Sequence, residues 1–294
     1  MENLEALKLP DMRIVFDNIK QLPSIPVVVQ QLISGLTDPN LSMKSLAKQI
    51  SLDPSLSANV LKIANSAYYG AQRKVASVQD ATVILGIDTI RSVAIMAGLI
   101  GTFPESSAID RNRFWHDNIK TALCARAIAD FLEEDTGVAY TVGALHTIGI
   151  LVLDVAMRDK FAEVMRQSKQ SGNMLLETER QMLGFDHAMV GAELARRWNF
   201  PYTIQHAIRY HDDPAQDPFE MMTGIVYVAH QLIEEDLDAE HADEEDVAAL
   251  EQRLKLDAMQ EQLQLDTMEF WSCLPSNEEL QAQVELLLGS RTIQ

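Results

Sequence analysis

Asp53 to Gly70 reads DPSLSANVLKIANSAYYG. Asp53 stands directly before Pro54, an N-cap followed by a residue whose fixed φ suits the first helical position. Leu56, Val60, Ile63, Ala64 and Ala67 then recur at three-four spacing and share one face. A strand cannot present such a stripe, because its successive side chains point to opposite faces. The same signals continue on either side. Ser42 stands as a cap before MKSLAKQI, and Ser77 to Asp80, SVQD, has the form of a capping box opening a short helix that stops near Gly86. A further helix starting at Asp88, TIRSVAIMAGLIGTF, is apolar on nearly all sides after Arg91, the pattern of a buried helix. There is no alternating run of any length and no Asn-Gly or Asp-Gly hairpin. The expectation is an all-α chain.

The polar, turn-rich stretch PESSAIDR, Pro104 to Arg111, divides the pattern. We expect two helical lobes, residues 14–103 and 104–235, followed by an acidic segment and C-terminal helices over 236–294. In the second lobe the periodicity predicts helices at Phe114–Leu132, Tyr140–Ala156, Phe161–Ser168, Leu175–Leu183, Ala188–Trp198, Tyr202–Tyr210 and Phe219–Glu235. Helical periodicity returns in VAALEQRLKLDAMQEQLQL and in NEELQAQVELLLGS, whose role is packing or self-association, the latter making a homodimer. Asn65 is expected to cap its helix through backbone hydrogen bonds, and Trp115 and Trp198 to be core aromatics where the lobes meet.

Composition narrows the function classes. A chain of 294 residues with 47% hydrophobic content can bury a large core. Its formal charge of -19 opposes a phosphate backbone, so no nucleic-acid partner is expected. Nine carboxylates crowd the thirteen residues Glu234 to Asp246, a composition typical of a solvated segment. Met1 to Pro10 lacks the basic and apolar regions of a signal peptide, and the longest uninterrupted apolar run, Val93 to Gly101, is too short to span a bilayer. Two cysteines, Cys124 and Cys273, give no disulfide framework. The expectation is a cytoplasmic protein with no membrane association.

Six of the seven histidines, His116, His146, His187, His206, His211 and His230, fall on five expected helices or their ends. Helical bundles build metal sites in this way, each helix sending one side chain inward, and neutral imidazole suits zinc, iron, nickel or manganese. No HExxH or paired CxxC signature accompanies them.

The chain resembles the HDOD domain, a signalling relative of the HD phosphohydrolases. The resemblance rests on LPSIP (Leu22–Pro26), DPSLSANVLKIANSAYYG, ATVILG (Ala81–Gly86), FWHD (Phe114–Asp117), ALHTIGI (Ala144–Ile150), HAMVGAELARRWNFP (His187–Pro201) and AIRYH (Ala207–His211), in the family's order. It implies that His116 is the upstream metal ligand, His146 the first member of the His-Asp pair, and His187 and His211 the downstream histidines. His230 stands near the position of a late Asp. Thr147 occupies the place of the pair's Asp, so the resemblance implies a degenerate pocket. His116-Asp117 and His211-Asp212 are also His-Asp dipeptides, but neither lies at the family's position, and both read as coincidences of composition.

The expected function is therefore a non-catalytic signalling or regulatory module acting on signalling proteins through protein-protein contacts. No cofactor is expected. If a site persists it would hold Zn, Fe, Ni or Mn, and the alternative function is a metal-dependent phosphohydrolase acting on a nucleotide or cyclic dinucleotide. That alternative needs Asp117, Asp212 or another carboxylate within reach of the histidines.

Overall fold

Several helix starts fall where the sequence supplies capping oxygens. The computed structural model describes residues 12–18, 25–38, 42–66, 74–103, 108–214, 220–236, 263 and 268–289. The first helices are α1 (Arg13–Asn18), α2 (Val27–Ser34), α3 (Met43–Ser51) and α4 (Pro54–Ala64). Ser42 Oγ accepts the Ser45 amide at 3.2 Å to open α3, and Asp53 accepts the Ser55 and Leu56 amides at 2.8 and 3.1 Å to open α4. The capping box expected at Ser77 is half made. Ser77 Oγ accepts the Asp80 amide, but its own hydroxyl donates to the Asp80 carboxylate at 2.7 Å, so that carboxylate does not return to the backbone. It opens α5 (Val78–Leu85), which turns through Gly86 into α6 (Ile87–Ile100). Gly86 lies at φ 78° and ψ 164°, a conformation essentially restricted to glycine. As expected, α6 is interior: Ile90 and the run from Val93 to Met96 are buried.

The long helix α7 (Arg111–Phe131) starts at the Asp110 cap. The single helix expected over Tyr140–Ala156 is two helices, α8 (Thr136–Leu145) and α9 (Ile148–Ala156), broken at His146 and Thr147. Two close crossings account for the break. A Cβ on Gly143 would lie 2.7 Å from the Ala122 Cα of α7, and one on Gly149 would lie 1.9 Å from the His187 carbonyl oxygen. The two glycines appose different neighbours, and the bend at Thr147 lets both contacts form. Beyond them follow α10 (Arg158–Ser171), α11 (Leu175–Leu183), α12 (His187–Arg197), α13 (Tyr202–Tyr210) and α14 (Met221–Glu234). Two further helices, α15 (Met268–Cys273) and α16 (Asn277–Leu288), lie near the C-terminus, the second opened by a complete Ser276–Glu279 capping box. No strand occurs among the described residues.

One apolar core runs from Val15 to Val284. Packing of α6 against α8, with Ser92 Oγ donating to the Gly137 carbonyl at 2.9 Å, carries it from the first helices into the later ones. Phe103 against Trp198, ring centroids 6.2 Å apart, reinforces that junction, and Trp115 is buried in α7. Asn65 holds the end of α4 as expected: its amide donates to the Leu61 and Val75 carbonyls and its oxygen accepts the Val75 amide. The C-terminal α16 packs on both α4 and α7, with Gln283 Nε2 donating to Ser66 Oγ at 3.2 Å.

Among the described residues, Thr136–Ala156 is long and apolar enough to cross a membrane by length and composition. It is broken at Thr147, and 83% of its most apolar window is buried inside the fold. Tyr68, Tyr69, the acidic run beyond Asp236, and the helix expected after Val247 except Leu263 lie outside the described residues.

Candidate functional site

Four of the five histidines singled out by the sequence converge where α8, α12, α13 and α14 meet. The His146 ring lies 5.0 Å from that of His211 and 4.6 Å from that of His230, and His187 lies 5.4 Å from His211. His146 and His211 each follow the last residue of a helix, α8 and α13, while His187 opens α12 and His230 sits within α14.

The hydrogen bonds fix the tautomers. His146 Nδ1–H donates to the Gly143 carbonyl at 2.8 Å, so its Nε2 accepts from His230 Nδ1 at 3.0 Å. Both His146 nitrogens and His230 Nδ1 are thereby bonded, which leaves His230 Nε2 as that pair's open nitrogen. His211 Nδ1–H donates to the Ile208 carbonyl at 2.9 Å and His187 Nδ1–H to Glu179 Oε2 at 2.8 Å. That leaves the Nε2 atoms of His187 and His211 buried without a hydrogen-bond partner among the described residues. Glu179, wholly buried, also accepts the His187 backbone amide at 2.8 Å and so fixes both the ring and the start of α12.

Asp212 stands beside these atoms. Its Oδ1 lies 3.7 Å from His211 Nε2 and 3.8 Å from His230 Nε2, and the ligand atoms of His187, His211 and Asp212 fall within 4.8 Å of one another. The His211-Asp212 dipeptide lies off the family's pair position, yet Asp212 is one of the carboxylates that the phosphohydrolase alternative requires within reach of the histidines. Proximity in sequence to His211 was a signal, but only the turn after α13 shows that both side chains face the same point.

Thr147 takes no part. Its hydroxyl donates to Asn118 Oδ1 at 2.8 Å, and the Asn118 amide donates to the Phe114 carbonyl, a closed neutral chain on the α7 side. His116, the expected upstream ligand, also stands apart. Its Nδ1 meets Asp117 Oδ1 at 3.1 Å and its Nε2 meets Gln281 Oε1 of α16 at 3.0 Å, so both ring nitrogens are committed elsewhere. Asp117 is thereby tied to His116 and Arg113. His206 pairs with Thr223 Oγ1 at 3.2 Å and packs between Tyr202 and Tyr210.

A cleft of about 590 Å³ opens beside the cluster, lined by Lys120, His116, Thr147, His146, His230 and Glu234 among others. The cleft thus meets the hydrogen-bonded His146–His230 pair, whereas His187 and His211 are buried and do not line it.

Electrostatics follow burial. Desolvation, then the neighbouring His230 and His211, pushes His146 well below the usual histidine range. Burial likewise lowers His211 and His230, against the pull of Asp212. His187 is the exception: burial opposes its charge, but the Glu179 carboxylate, joined by Asp212 and Asp186, outweighs burial and raises it. Burial also opposes ionisation of Asp212, yet His211, His230 and His187 together hold its carboxyl below the ordinary range.

The HDOD domain model matches residues 22–214. The chain belongs to the HDOD domain family. An HDOD domain protein of unknown function from Geobacter sulfurreducens shares the fold, with a TM-score of 0.76 and 23% identity over 94% of this chain and 97% of that one. A structure from Shewanella amazonensis SB2B, provisionally named a phosphohydrolase, is 25% identical with a TM-score of 0.71, covering 89% of this chain and 98% of its own. Another, from Marinobacter aquaeolei VT8 and provisionally named a signal transduction protein, is 26% identical with a TM-score of 0.72, covering 96% and 68%. An uncharacterised protein of Treponema pallidum (strain Nichols) is 26% identical over 220 residues, 73% of this chain; the HDOD chain described here spans 42% of that relative's length.

Proposed function

We propose that this HDOD domain is a non-catalytic regulatory module that acts on signalling proteins through protein-protein contacts in a bacterial cytoplasm. The observation that carries this reading is the state of Thr147. The anionic half of the His-Asp pair is replaced by a hydroxyl that is spent on Asn118, and the neighbouring His146 is spent on His230. Phosphodiester hydrolysis at a metal needs an activated water exposed to substrate. Here the cleft meets two imidazoles whose hydrogen bonds occupy both His146 nitrogens and His230 Nδ1, so that His230 Nε2 alone of the four stays open, beside Asp212. The relative named for signal transduction supports the same assignment. The C-terminal α16, seated on α4 and α7, is a surface through which a partner or a second copy could bias the packing of the helices.

The test is a turnover assay of the full chain with Zn, Fe, Ni or Mn, using bis(p-nitrophenyl) phosphate and cyclic dinucleotides. No hydrolysis above the His187→Ala background is expected. Metal-dependent turnover that disappears in His187→Ala and in Asp212→Asn would overturn the reading in favour of a phosphohydrolase. Asp212 is the specific observation on that second side, since it returns a carboxylate to the histidine cluster.

A further inference from the structure

We propose that the chain binds one divalent first-row transition metal through His187 Nε2, His211 Nε2 and the Asp212 carboxylate. The anionic ligand is thus supplied by the residue after His211 and not at position 147. Four features of the structure converge on this assignment.

The first is the pair of buried acceptors. An imidazole Nε2 lone pair shut away from water without a donor is costly, and natural cores rarely leave two side by side. Both atoms, in His187 and His211, are of this kind. The second is tautomer control. Each ring has its Nδ1–H tied, to Glu179 and to the Ile208 carbonyl, which aims the Nε2 lone pair at a common point. A carboxylate behind a ligating histidine raises its basicity and holds its orientation. Glu179 fills that position for His187.

The third is spacing. Ligands at about 2.1 Å from a tetrahedral ion lie roughly 3.4 Å apart. Asp212 Oδ1 and His211 Nε2 are 3.7 Å apart, near that separation, and all three donor atoms fall within 4.8 Å of one another. The fourth is charge. Two neutral imidazoles and one carboxylate halve the charge of a divalent ion, the compensation that Thr147 fails to give. This donor set suits zinc, iron(II), cobalt(II) or nickel over magnesium or calcium, which demand oxygen ligands.

His146 is excluded as a ligand by the hydrogen bonds on both its nitrogens, and His116 by its bonds to Asp117 and Gln281. His230 Nε2, though 3.8 Å from Asp212 Oδ1, lies outside the group of three mutually close donor atoms. The ligand set therefore differs from the one the family resemblance implies: two of its five histidines remain, and Asp212, off the family's pair position, replaces the missing carboxylate. Binding needs no turnover, so this inference stands or falls separately from the non-catalytic reading.

The experiment is titration of the chelator-stripped full chain with cobalt(II), followed by its visible d–d absorption, and with zinc by calorimetry. One ion per chain is expected. Asp212→Asn, nearly isosteric and on a partly exposed turn, should weaken binding at least about 100-fold, and Glu179→Gln should weaken it about 10- to 100-fold. His116→Gln should bind as the parent does. Circular dichroism checks that each variant is folded. Absence of cobalt absorption in the parent chain, binding unaltered in Asp212→Asn, or binding lost in His116→Gln would each overturn the assignment. Metal binding with no hydrolysis supports both proposals. Metal binding with hydrolysis keeps this one and removes the other.

Discussion

Gly149→Ala offers the sharpest test of how the fold builds the site. In an ordinary helix this change stabilises, because alanine has the higher helix propensity by about 0.8–1 kcal/mol. Here the added methyl would sit 1.9 Å from the His187 carbonyl oxygen, 2.7 Å from the Gly191 nitrogen and 2.8 Å from the His187 carbonyl carbon. All three are backbone atoms, so no side chain can rotate away. Relief to an ordinary contact of about 3.4 Å requires α9 and α12 to separate locally by about 1.5 Å. A gap of 0.5–1 Å already forfeits a quarter to a half of each dispersion contact. Ile148 and Val152 on α9 and Val190 and Leu194 on α12 are all buried. Overpacking of this kind costs about 1–3 kcal/mol when side chains can adjust, and the rigid backbone contact places Gly149→Ala at or above the upper end, about 3 kcal/mol net. Urea denaturation followed by circular dichroism measures it. Gly101→Ala, at a site where nothing lies within 4 Å of the added carbon, serves as the control. A loss below about 1 kcal/mol at Gly149, with unchanged denaturant dependence, would refute the claim that this crossing fixes the position of His187.

Two further outcomes follow from the cluster itself. Thr147→Val keeps the shape but removes the donor to the buried Asn118 Oδ1, so it should cost about 1–2 kcal/mol in the same assay, while Thr147→Ser should cost less; equal stability of all three would refute the closed chain through Asn118. In metal-free protein, the depressed His146, His211 and His230 are neutral when folded and return to the ordinary range on unfolding. The unfolded chain then binds more protons below about pH 6.5, and stability falls with acidification by up to about 1.4 kcal/mol per pH unit for each ring. His187 acts in the opposite sense: its contribution is complete below about pH 6.5 and fades as pH rises through its raised folded value. Denaturation midpoints at pH 7.5, 6.5 and 5.5 check the sign, and a flat profile would contradict it.

The helical class was legible because its signals are local. Ser42, Asp53 and Ser77 cap the helices they precede, and the stripe from Leu56 to Ala64 is buried as its spacing requires. The break in Thr136–Ala156 was not legible from apolar periodicity, since hydrophobicity continues unbroken across it. Gly143 and Gly149 were the available signs, but a glycine acquires its meaning from the backbone it touches, Ala122 in one case and His187 in the other.

The candidate site divides in the same way. Sequence alone determined that histidines on several helices would supply its chemistry and that Thr147 removes the expected charge, because residue identity sets donor type and ionisation. Tertiary structure decided which of those histidines meet. It joined His146 to His230, left His187 and His211 with open lone pairs, turned His116 toward Gln281, and brought Asp212 to the cluster. Each of these depends on the direction of a side chain at a helix end. A rotation of one residue there moves a ligand by several ångströms, and only the packing of α8, α12, α13 and α14 against one another fixes that rotation.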